Sequence, residues 1–367
     1  MEIAIGCAKF ILLTQEVIRG IIGAVRNVLR NDGERCLQMS GHMVLDDIAK
    51  ALGVSKTTVS RAISGTGRVS KATRERVLSY VAQTGFVPNA AANNLATTRT
   101  RNIAYSMPLG DQAVASNYFL ECLFGVSKVA TEAGYHVVVV DDNMDALCHA
   151  AASHKVDGLV LSIFNHGDEA MQRLIGYHLP LVLTGQCDVP GVVQIGYDAV
   201  EAYAEMTQYV IDEWSMPLGL LLTSEEFQAN KSRARGFRTG LQRRGIMEAD
   251  ICANIWTRED IIAALRHFHS RGIRGIICGD DSVCMDLLPI LESLKDSTDT
   301  ALRDMARGSR LASFHSNRFL RSFHPEIPTV DVPPEEMGQT AARMAIRQIE
   351  QGDSPAYTAL PYSFHRG

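Results

Sequence analysis

The chain has 367 residues, of which 46% are hydrophobic, 21% charged and 7% aromatic. This apolar fraction excludes a disordered or fibrous protein, and the length predicts two to three domains with a sizeable core. No run of about 18 apolar residues occurs in the sequence, which argues against an integral membrane protein.

The net charge of −5 is distributed unevenly along the chain. Residues 43–101 contain nine Lys/Arg against three Asp/Glu, a net charge of +6, and residues 1–42 carry +1. Residues 102–367 therefore carry −12. A small basic segment beside a large acidic body predicts that one part of the protein meets phosphates and the other does not.

Residues 1–42 are interpreted as an N-terminal extension. An apolar run over residues 3–13 is broken by Lys9, and a signal peptide is one explanation of it. The favoured interpretation is an upstream extension from a misplaced start codon, so that Met39 or Met43 begins the recognisable protein.

Residues 45–64 have the spacing of two helices that cross steeply. Ala49 is small where the backbones approach, and Gly53 stands at the turn, where a positive φ costs least. Ser55 is the expected cap of the second helix. The pattern predicts a helix-turn-helix, with a plain helical hairpin as the alternative. The polar side chains at the start or on the outer face of its second helix, where base edges and phosphates can be reached, are Lys56, Thr57, Ser60 and Arg61.

A third helix and a short linker are expected next. Ser70 caps the third helix and Gly85 ends it, and Pro88 suits the start of another short helix in an Ala/Asn-rich stretch that runs to Thr98. Leu95 is the lone large apolar residue of this linker. It is predicted either to pack on the neighbouring domain or to act as a wedge in a minor groove.

From residue 101 onward, short apolar runs alternate with helical stretches. The predicted strands, buried on both faces, are 137–140, 159–161, 181–183, 192–195, 218–222 and 273–277. The predicted helices are 117–133, 168–178, 198–214, 230–244, 258–270 and 281–294. This alternation predicts two doubly wound lobes of parallel strands, and a cleft between such lobes suits a small molecule.

The run from Val44 to Ala96 resembles the headpiece and hinge of the LacI/GalR (lactose-repressor) family of bacterial transcription regulators, and the resemblance extends over residues 43–367. It implies that the second helix enters the major groove and that two hinge helices pair. The residues at base-reading positions would be Lys56, Thr57 and Arg61. Contacts to the backbone or flanking DNA would come from Ser55, Thr58, Arg68 and Asn89. Ala92 would keep the hinge helix slim, and Leu95 would be the leucine that opens the minor groove.

The same resemblance implies an effector site in the cleft. Arg233 matches an effector-binding arginine, Trp256 an aromatic that lies against the ligand, and Asp281 an aspartate that accepts hydrogen bonds from ligand hydroxyls. A surface arginine and a helix-capping carboxylate are the alternatives, and Asp280 is assigned a structural role. Tyr118-Phe119 opens the first helix of the body and is predicted to stack on the ligand or to pack in the core.

Three features depart from the family pattern. Phe314-His315-Ser316 stands where the family often has Phe-Asp-Asp, and Gln186 replaces an arginine common in relatives. Residues 295–309 form an unusual polar insertion. These departures leave the fold prediction intact and leave the identity of the ligand open.

The predicted architecture is a small all-α helix-turn-helix headpiece followed by an α/β two-lobed periplasmic-binding-protein-like domain with doubly wound parallel sheets. The predicted segments are an extension (1–42), the headpiece (43–87), a hinge helix and linker (88–100) and the effector-binding and dimerisation domain (101–367). Lobe one is assigned 101–196 and 314–329, and lobe two 197–313 and 330–367. The C-terminal portion is expected to cross again between the lobes.

The predicted function is a cytoplasmic, nucleoid-associated homodimer that binds palindromic double-stranded operator DNA, responds to a small-molecule effector and represses carbohydrate uptake or catabolism genes. The effector is predicted to be a sugar. A purine or nucleoside effector is one alternative, and a solute-binding protein without a DNA function is another. The sequence has no P-loop, G-x-S-x-G or H-E-x-x-H motif, and its eight cysteines form no zinc-spaced pairs. Neither catalysis, a cofactor nor a metal is therefore predicted.

Replacing Leu95 by Ala is expected to weaken specific DNA binding and to reduce DNA bending. Inserting two leucines costs a few kcal/mol of base unstacking, and the bent DNA offsets this cost through closer contact with the protein. The operator should carry a flexible pyrimidine–purine step at its centre. Energy transfer between dyes at the two ends of the operator measures the bend. Equal bending by variant and wild type would show that Leu95 packs on the body instead.

Overall fold

The computed structural model describes residues 44–65, 67–86, 99–110 and 117–367, without the side chain of Ser64. The chain divides into two compact units, and the division falls between residues 93 and 94. The predicted hinge helix, with Asn89, Ala92 and Leu95, and the N-terminal extension lie outside the described residues.

The described part of the first unit contains three helices: α1 (Leu45–Leu52), α2 (Lys56–Ser64) and α3 (Lys71–Thr84). Gly53 follows α1 with a φ of +65°, and the Ser55 side chain accepts a hydrogen bond from the Thr58 backbone N–H at the start of α2. The buried core of this unit consists of Ile48, Ala49, Val59, Ala62 and Val77. The predicted helix-turn-helix and third helix are confirmed.

The second unit contains two six-stranded sheets. Its strands are β1 (Asn102–Met107), β2 (His136–Asp141), β3 (Gly158–Leu161), β4 (Leu181–Thr184), β5 (Val193–Gly196), β6 (Leu218–Leu221), β7 (Asp250–Cys252), β8 (Gly275–Cys278), β9 (Arg310–Ser313), β10 (Thr329–Asp331), β11 (Tyr357–Ala359) and β12 (Ser363–His365). The strand order is β11-β5-β4-β3-β1-β2 in the first sheet and β12-β10-β9-β8-β6-β7 in the second. All pairings are parallel except that of β12 with β10.

Ten helices of the second unit lie in the described residues. They are α4 (Asn117–Glu132), α5 (Met144–Ala152), α6 (Gly167–Ile175), α7 (Ala199–Trp214), α8 (Gln228–Gln242), α9 (Arg258–Ser270), α10 (Asp281–Leu294), α11 (Thr300–Gly308), α12 (Arg318–Phe323) and α13 (Pro334–Gln351). The predicted two-sheet α/β architecture is confirmed, and the six strands and six helices expected from the sequence occur within three residues of their predicted bounds.

One local expectation is wrong, and one departure from the family pattern acquires a structure. The strand β2 is not buried on both faces, because it lies at the edge of the first sheet and exposes Val138 and Val139. The polar insertion contains the amphipathic helix α11, which buries Leu302 and Met305. Edge strands and central strands can have the same apolar sequence pattern, so the pattern does not separate them. A helix with one narrow apolar stripe has a mostly polar sequence, and such a helix is easily missed.

The predicted assignment of the C-terminal segments to the lobes is wrong. The segment 314–329 contains α12 and leads into β10 of the second sheet, not into lobe one. The helix α13 packs on α4, and β11 pairs with β5 in the first sheet, before β12 returns to the second. The expected recrossing therefore occurs, but at other positions. Local periodicity carries no information about which of two similar sheets a strand joins.

The helices α4 and α13 approach each other closely through two glycines. A Cβ built on Gly338 would lie 2.0 Å from the Cys122 carbonyl oxygen, and one built on Gly125 would lie 2.0 Å from the Glu335 carbonyl oxygen. Only residues without a Cβ permit this backbone contact, which fixes the C-terminal helix to the first sheet.

Gly338→Ala is expected to lower the free energy of unfolding by about 1–3 kcal/mol, because the two helices must separate to admit the methyl group. This net loss already includes the gain of about 1 kcal/mol in helix propensity when Ala replaces Gly in a helix interior. Denaturant unfolding measures the difference. The control is Gly110→Ala, since a Cβ at Gly110 meets nothing within 4 Å. Equal stability of both variants would contradict the close packing.

Candidate nucleic-acid and effector-binding sites

The helix α2 has one buried face and one polar face. Val59 and Ala62 are buried against the core of the first unit, whereas Lys56, Thr57 and Arg61 are exposed. The remaining predicted DNA contacts in the described residues are exposed, as are Ser55 and Arg68, or half-buried, as are Thr58 and Ser60. A helix with this division can lay its polar face in a major groove while its other face stays packed.

Local contacts position several of these side chains. The Ser55 and Thr58 hydroxyls lie 2.8 Å apart at the start of α2. Lys56 Nζ lies 3.1 Å from Asp46 Oδ2 on α1. The Arg61 stem lies against Gly67, where a Cβ would be 2.9 Å from Arg61 Cδ and where φ is +72°. The absence of a side chain at Gly67 thus leaves room for the arginine.

In the second unit, Arg233 on α8 forms a largely buried ion pair. Its Nη1 lies 3.3 Å from Asp280 Oδ2, and the two side chains are 12% and 18% exposed. Arg233 also donates a hydrogen bond to Asn230 Oδ1. Burial alone would raise the pKa of Asp280, but the charge of Arg233 and the hydrogen bonds that Asp280 accepts hold this pKa below its usual value. The pair is therefore ionised and has no net charge.

Two tyrosines and a histidine adjoin this ion pair. His315 Nε2 lies 2.8 Å from the Tyr203 hydroxyl and 3.3 Å from the Tyr197 hydroxyl, and the two hydroxyls are hydrogen-bonded to each other. Burial, assisted by the charge of Arg233, lowers the pKa of His315 to about 3. The imidazole is thus neutral at physiological pH. A neutral imidazole has one nitrogen that donates a hydrogen bond and one that accepts.

The aromatic residues predicted to meet the ligand lie in two places. Tyr118 and Phe119 form an edge-on pair at the start of α4, with ring centroids 5.5 Å apart. The Tyr118 hydroxyl lies 3.5 Å from Met337 Sδ on α13. Trp256 is exposed and packs edge-on against Phe227 at 6.1 Å, where α8 and α9 begin.

The two adjacent aspartates have different partners. Asp281 is buried and its Oδ2 accepts a hydrogen bond from Asn317 Nδ2 at 2.9 Å. Asp280 caps α10 through the Val283 backbone N–H and also pairs with Arg233. Both residues follow the same strand, so the sequence alone could not show which carboxylate faces the arginine.

Sequence reasoning missed other residues of this site. It missed the pairing role of Asp280 and the contributions of Tyr197, Tyr203 and His315, although position 315 was noted as a departure from the family pattern. Several buried polar atoms make no hydrogen bond within the described part of the chain. They include Ser162 Oγ, Asn165 Oδ1, Arg233 Nε and Ser316 Oγ.

Among the described residues, no group of three or more His, Cys, Asp or Glu side chains is placed to hold a metal ion. No helix among them is long and apolar enough to cross a membrane.

Two family profiles match the chain. The profile described as bacterial regulatory proteins, lacI family, matches residues 44–89. The profile described as periplasmic binding proteins and sugar binding domain of LacI family matches residues 112–366. Together they cover the helix-turn-helix and nearly the whole two-sheet unit.

Related proteins extend over most of the chain. The HTH-type transcriptional regulator RegA of Clostridium saccharobutylicum is 23% identical over 85% of this chain and 95% of its own length. The HTH-type transcriptional regulator CelR of Thermobifida fusca is 26% identical over 83% of this chain and 91% of its own length.

Solved structures share the fold. The Lac repressor dimer bound to operator and the anti-inducer ONPF has a TM-score of 0.72 at 18% identity and covers 88% of this chain and 97% of its own. A complex of the transcriptional regulator CelR with cellobiose has a TM-score of 0.61 at 21% identity and covers 89% of this chain and 100% of its own.

The pH dependence of stability tests the environment of Asp281. Burial, with the charge of Asp280, raises the pKa of Asp281 to about 6, so the stability that its protonated form contributes is lost as pH rises through 6. Asp281→Asn keeps a hydrogen-bond acceptor for Asn317 but cannot ionise, so the variant does not lose stability as the pH rises through 6. Its unfolding free energy relative to wild type is expected to increase by up to about 3 kcal/mol between pH 4 and 7.

Denaturant unfolding of the variant and the wild type across this pH range checks the expectation. A difference that does not change with pH would show that Asp281 ionises normally in the folded protein.

Proposed function

The chain belongs to the LacI family of bacterial regulatory proteins, and from this premise we propose that it is a ligand-responsive, sequence-specific DNA-binding regulator that represses carbohydrate uptake or catabolism genes in the cytoplasm. We assign DNA binding to residues 43–87 with the hinge 88–100, and effector binding and dimerisation to residues 101–367. The role is one of binding and not of catalysis.

The observation that carries the DNA-binding role is the exposed face of α2. Lys56, Thr57 and Arg61 lie on that face, while Val59 and Ala62 of the same helix are buried. Long polar side chains on a packed helix can read donor and acceptor patterns in a major groove. The net charge of +6 on residues 43–101 supplies attraction to phosphates.

A homodimer is supported by two exposed apolar patches of the second unit. Leu120 and Phe124 lie on one face of α4, and Phe124 is 64% exposed. The rings of Phe319 and Phe323 on α12 lie 4.8 Å apart and are tilted by 36°, and Phe323 is 68% exposed. A second copy of the chain would cover such patches in a symmetric dimer, and its two headpieces would match a palindromic operator.

The polar cluster around Arg233 supports a hydroxyl-bearing effector. It presents the Arg233 Nε–H as a donor and the Asp280 carboxylate as an acceptor, and the neutral His315 imidazole adds one donor and one acceptor nitrogen. Sugar hydroxyls both donate and accept hydrogen bonds, so they match this mixture. The cellobiose-bound relative agrees with a saccharide. We therefore place Arg233, Asp280 and His315 at the effector, together with Tyr118, Phe119 and Trp256.

The test begins with selection of operator duplexes from a random pool by the full-length protein, followed by titration with neutral saccharides. Arg233→Ala is expected to weaken effector binding by about 10–100-fold, the size of a lost charged hydrogen bond. Its operator affinity without effector should stay near that of wild type. Fluorescence anisotropy of the operator and calorimetry of the saccharide give the two affinities.

Two further variants complete this test. Arg235 lies two residues after Arg233 on α8, is exposed and has no ion-pair partner among the described side chains. The variant Arg235→Ala should therefore bind operator and saccharide with wild-type affinity. Arg233→Lys keeps the charge beside Asp280 should the alanine variant fold poorly. An unchanged saccharide affinity in Arg233→Lys and Arg233→Ala alike would remove Arg233 from the effector site.

A further inference from the structure

An acidic residue lies directly beside a base-reading lysine of the headpiece. Asp46, in the first turn of α1, places its Oδ2 3.1 Å from Lys56 Nζ at the start of α2. The two side chains are 51% and 60% exposed, so the pair lies on the surface and not in the core. It joins two helices across ten residues of sequence.

A carboxylate at this place opposes general attraction to DNA. The surface that presents Lys56, Thr57 and Arg61 must approach two phosphate backbones, and a negative charge on it repels them. An exposed ion pair contributes little to folding stability, so stability does not explain why Asp46 is placed there. Asp46 instead acts on Lys56: it offsets the charge of the ammonium group and restrains the orientation of the lysine side chain.

We propose that Asp46 is a positioning residue for DNA specificity: it holds the Lys56 ammonium toward the base edges and withholds it from the phosphates. The proposal rests on the proposed DNA-binding function and adds a residue to it. On random DNA, Lys56 contributes less to binding affinity than an unpaired lysine would, because Asp46 balances its charge. On the operator, the restrained ammonium reaches a guanine edge with less loss of side-chain freedom.

Removing the charge of Asp46 should therefore release Lys56 to the phosphates. In Asp46→Asn, affinity for random duplexes is expected to increase about three- to tenfold, and the slope of log Kobs against log salt on random DNA should steepen by about 0.9, the value for one added phosphate contact. Affinity for the selected operator should change less, so the ratio of operator to random affinity falls. Asp46→Glu should restore most of that ratio.

The control is Glu75→Gln, which removes the same charge from the same unit at an exposed position on α3 that forms no ion pair with Lys56 among the described side chains. It should leave the salt slope and the specificity ratio near wild type. In a Lys56→Met background, Asp46→Asn should no longer steepen the slope, since the released cation is absent. Thermal melting of each variant shows whether α1 has been weakened.

Several results would overturn the proposal. They are an unchanged slope in Asp46→Asn, an equal change in Glu75→Gln, or an effect that persists in the Lys56→Met background. Failure of the wild type to select any operator would instead contradict the proposed function, so the two failures are distinguishable.

Discussion

The buried ion pair between Arg233 and Asp280 is the interaction on which the candidate effector site depends. Removing one partner of such a pair leaves an uncompensated charge, at a cost of about 3–5 kcal/mol. Parallel strands end at one edge of their sheet, so β8 delivers Asp280 and β9 delivers His315 to neighbouring positions. The helix α8 brings Arg233 to the same edge. The polar site is thus a consequence of the strand order of the second sheet.

The tyrosines connect this site to the segments that join the two lobes. Tyr197 directly follows β5 of the first sheet and is hydrogen-bonded to Tyr203 and His315 of the second lobe. Its ring also lies 6.3 Å from that of Tyr362, in the segment between β11 and β12. The chain passes between the two sheets three times: after β5, after β10 and after β11. A ligand at the cluster would therefore lie beside the first and the third of these connections. Binding that favours one lobe arrangement would shift the population toward it.

The sequence predicted what local patterns encode. Gly53 and Ser55 identified the turn and cap of the helix-turn-helix, and continuous apolar runs located the central strands. It assigned 314–329 and α13 each to the wrong lobe, because sheet membership is set by packing such as the Gly125 and Gly338 contacts. Likewise, the contacts of His315 with Tyr197 and Tyr203 span more than 110 residues, and no local spacing encodes them.

If a saccharide binds between the lobes at the Arg233 cluster, it should slow hydrogen–deuterium exchange in both lobes at once. Exchange of the full-length protein is measured with and without a binding saccharide. Slower exchange is expected around Tyr197, at the start of α8, at the end of β8 and in the 162–166 loop of the first sheet. Protection confined to one lobe, or located away from Arg233, would contradict binding at this cluster.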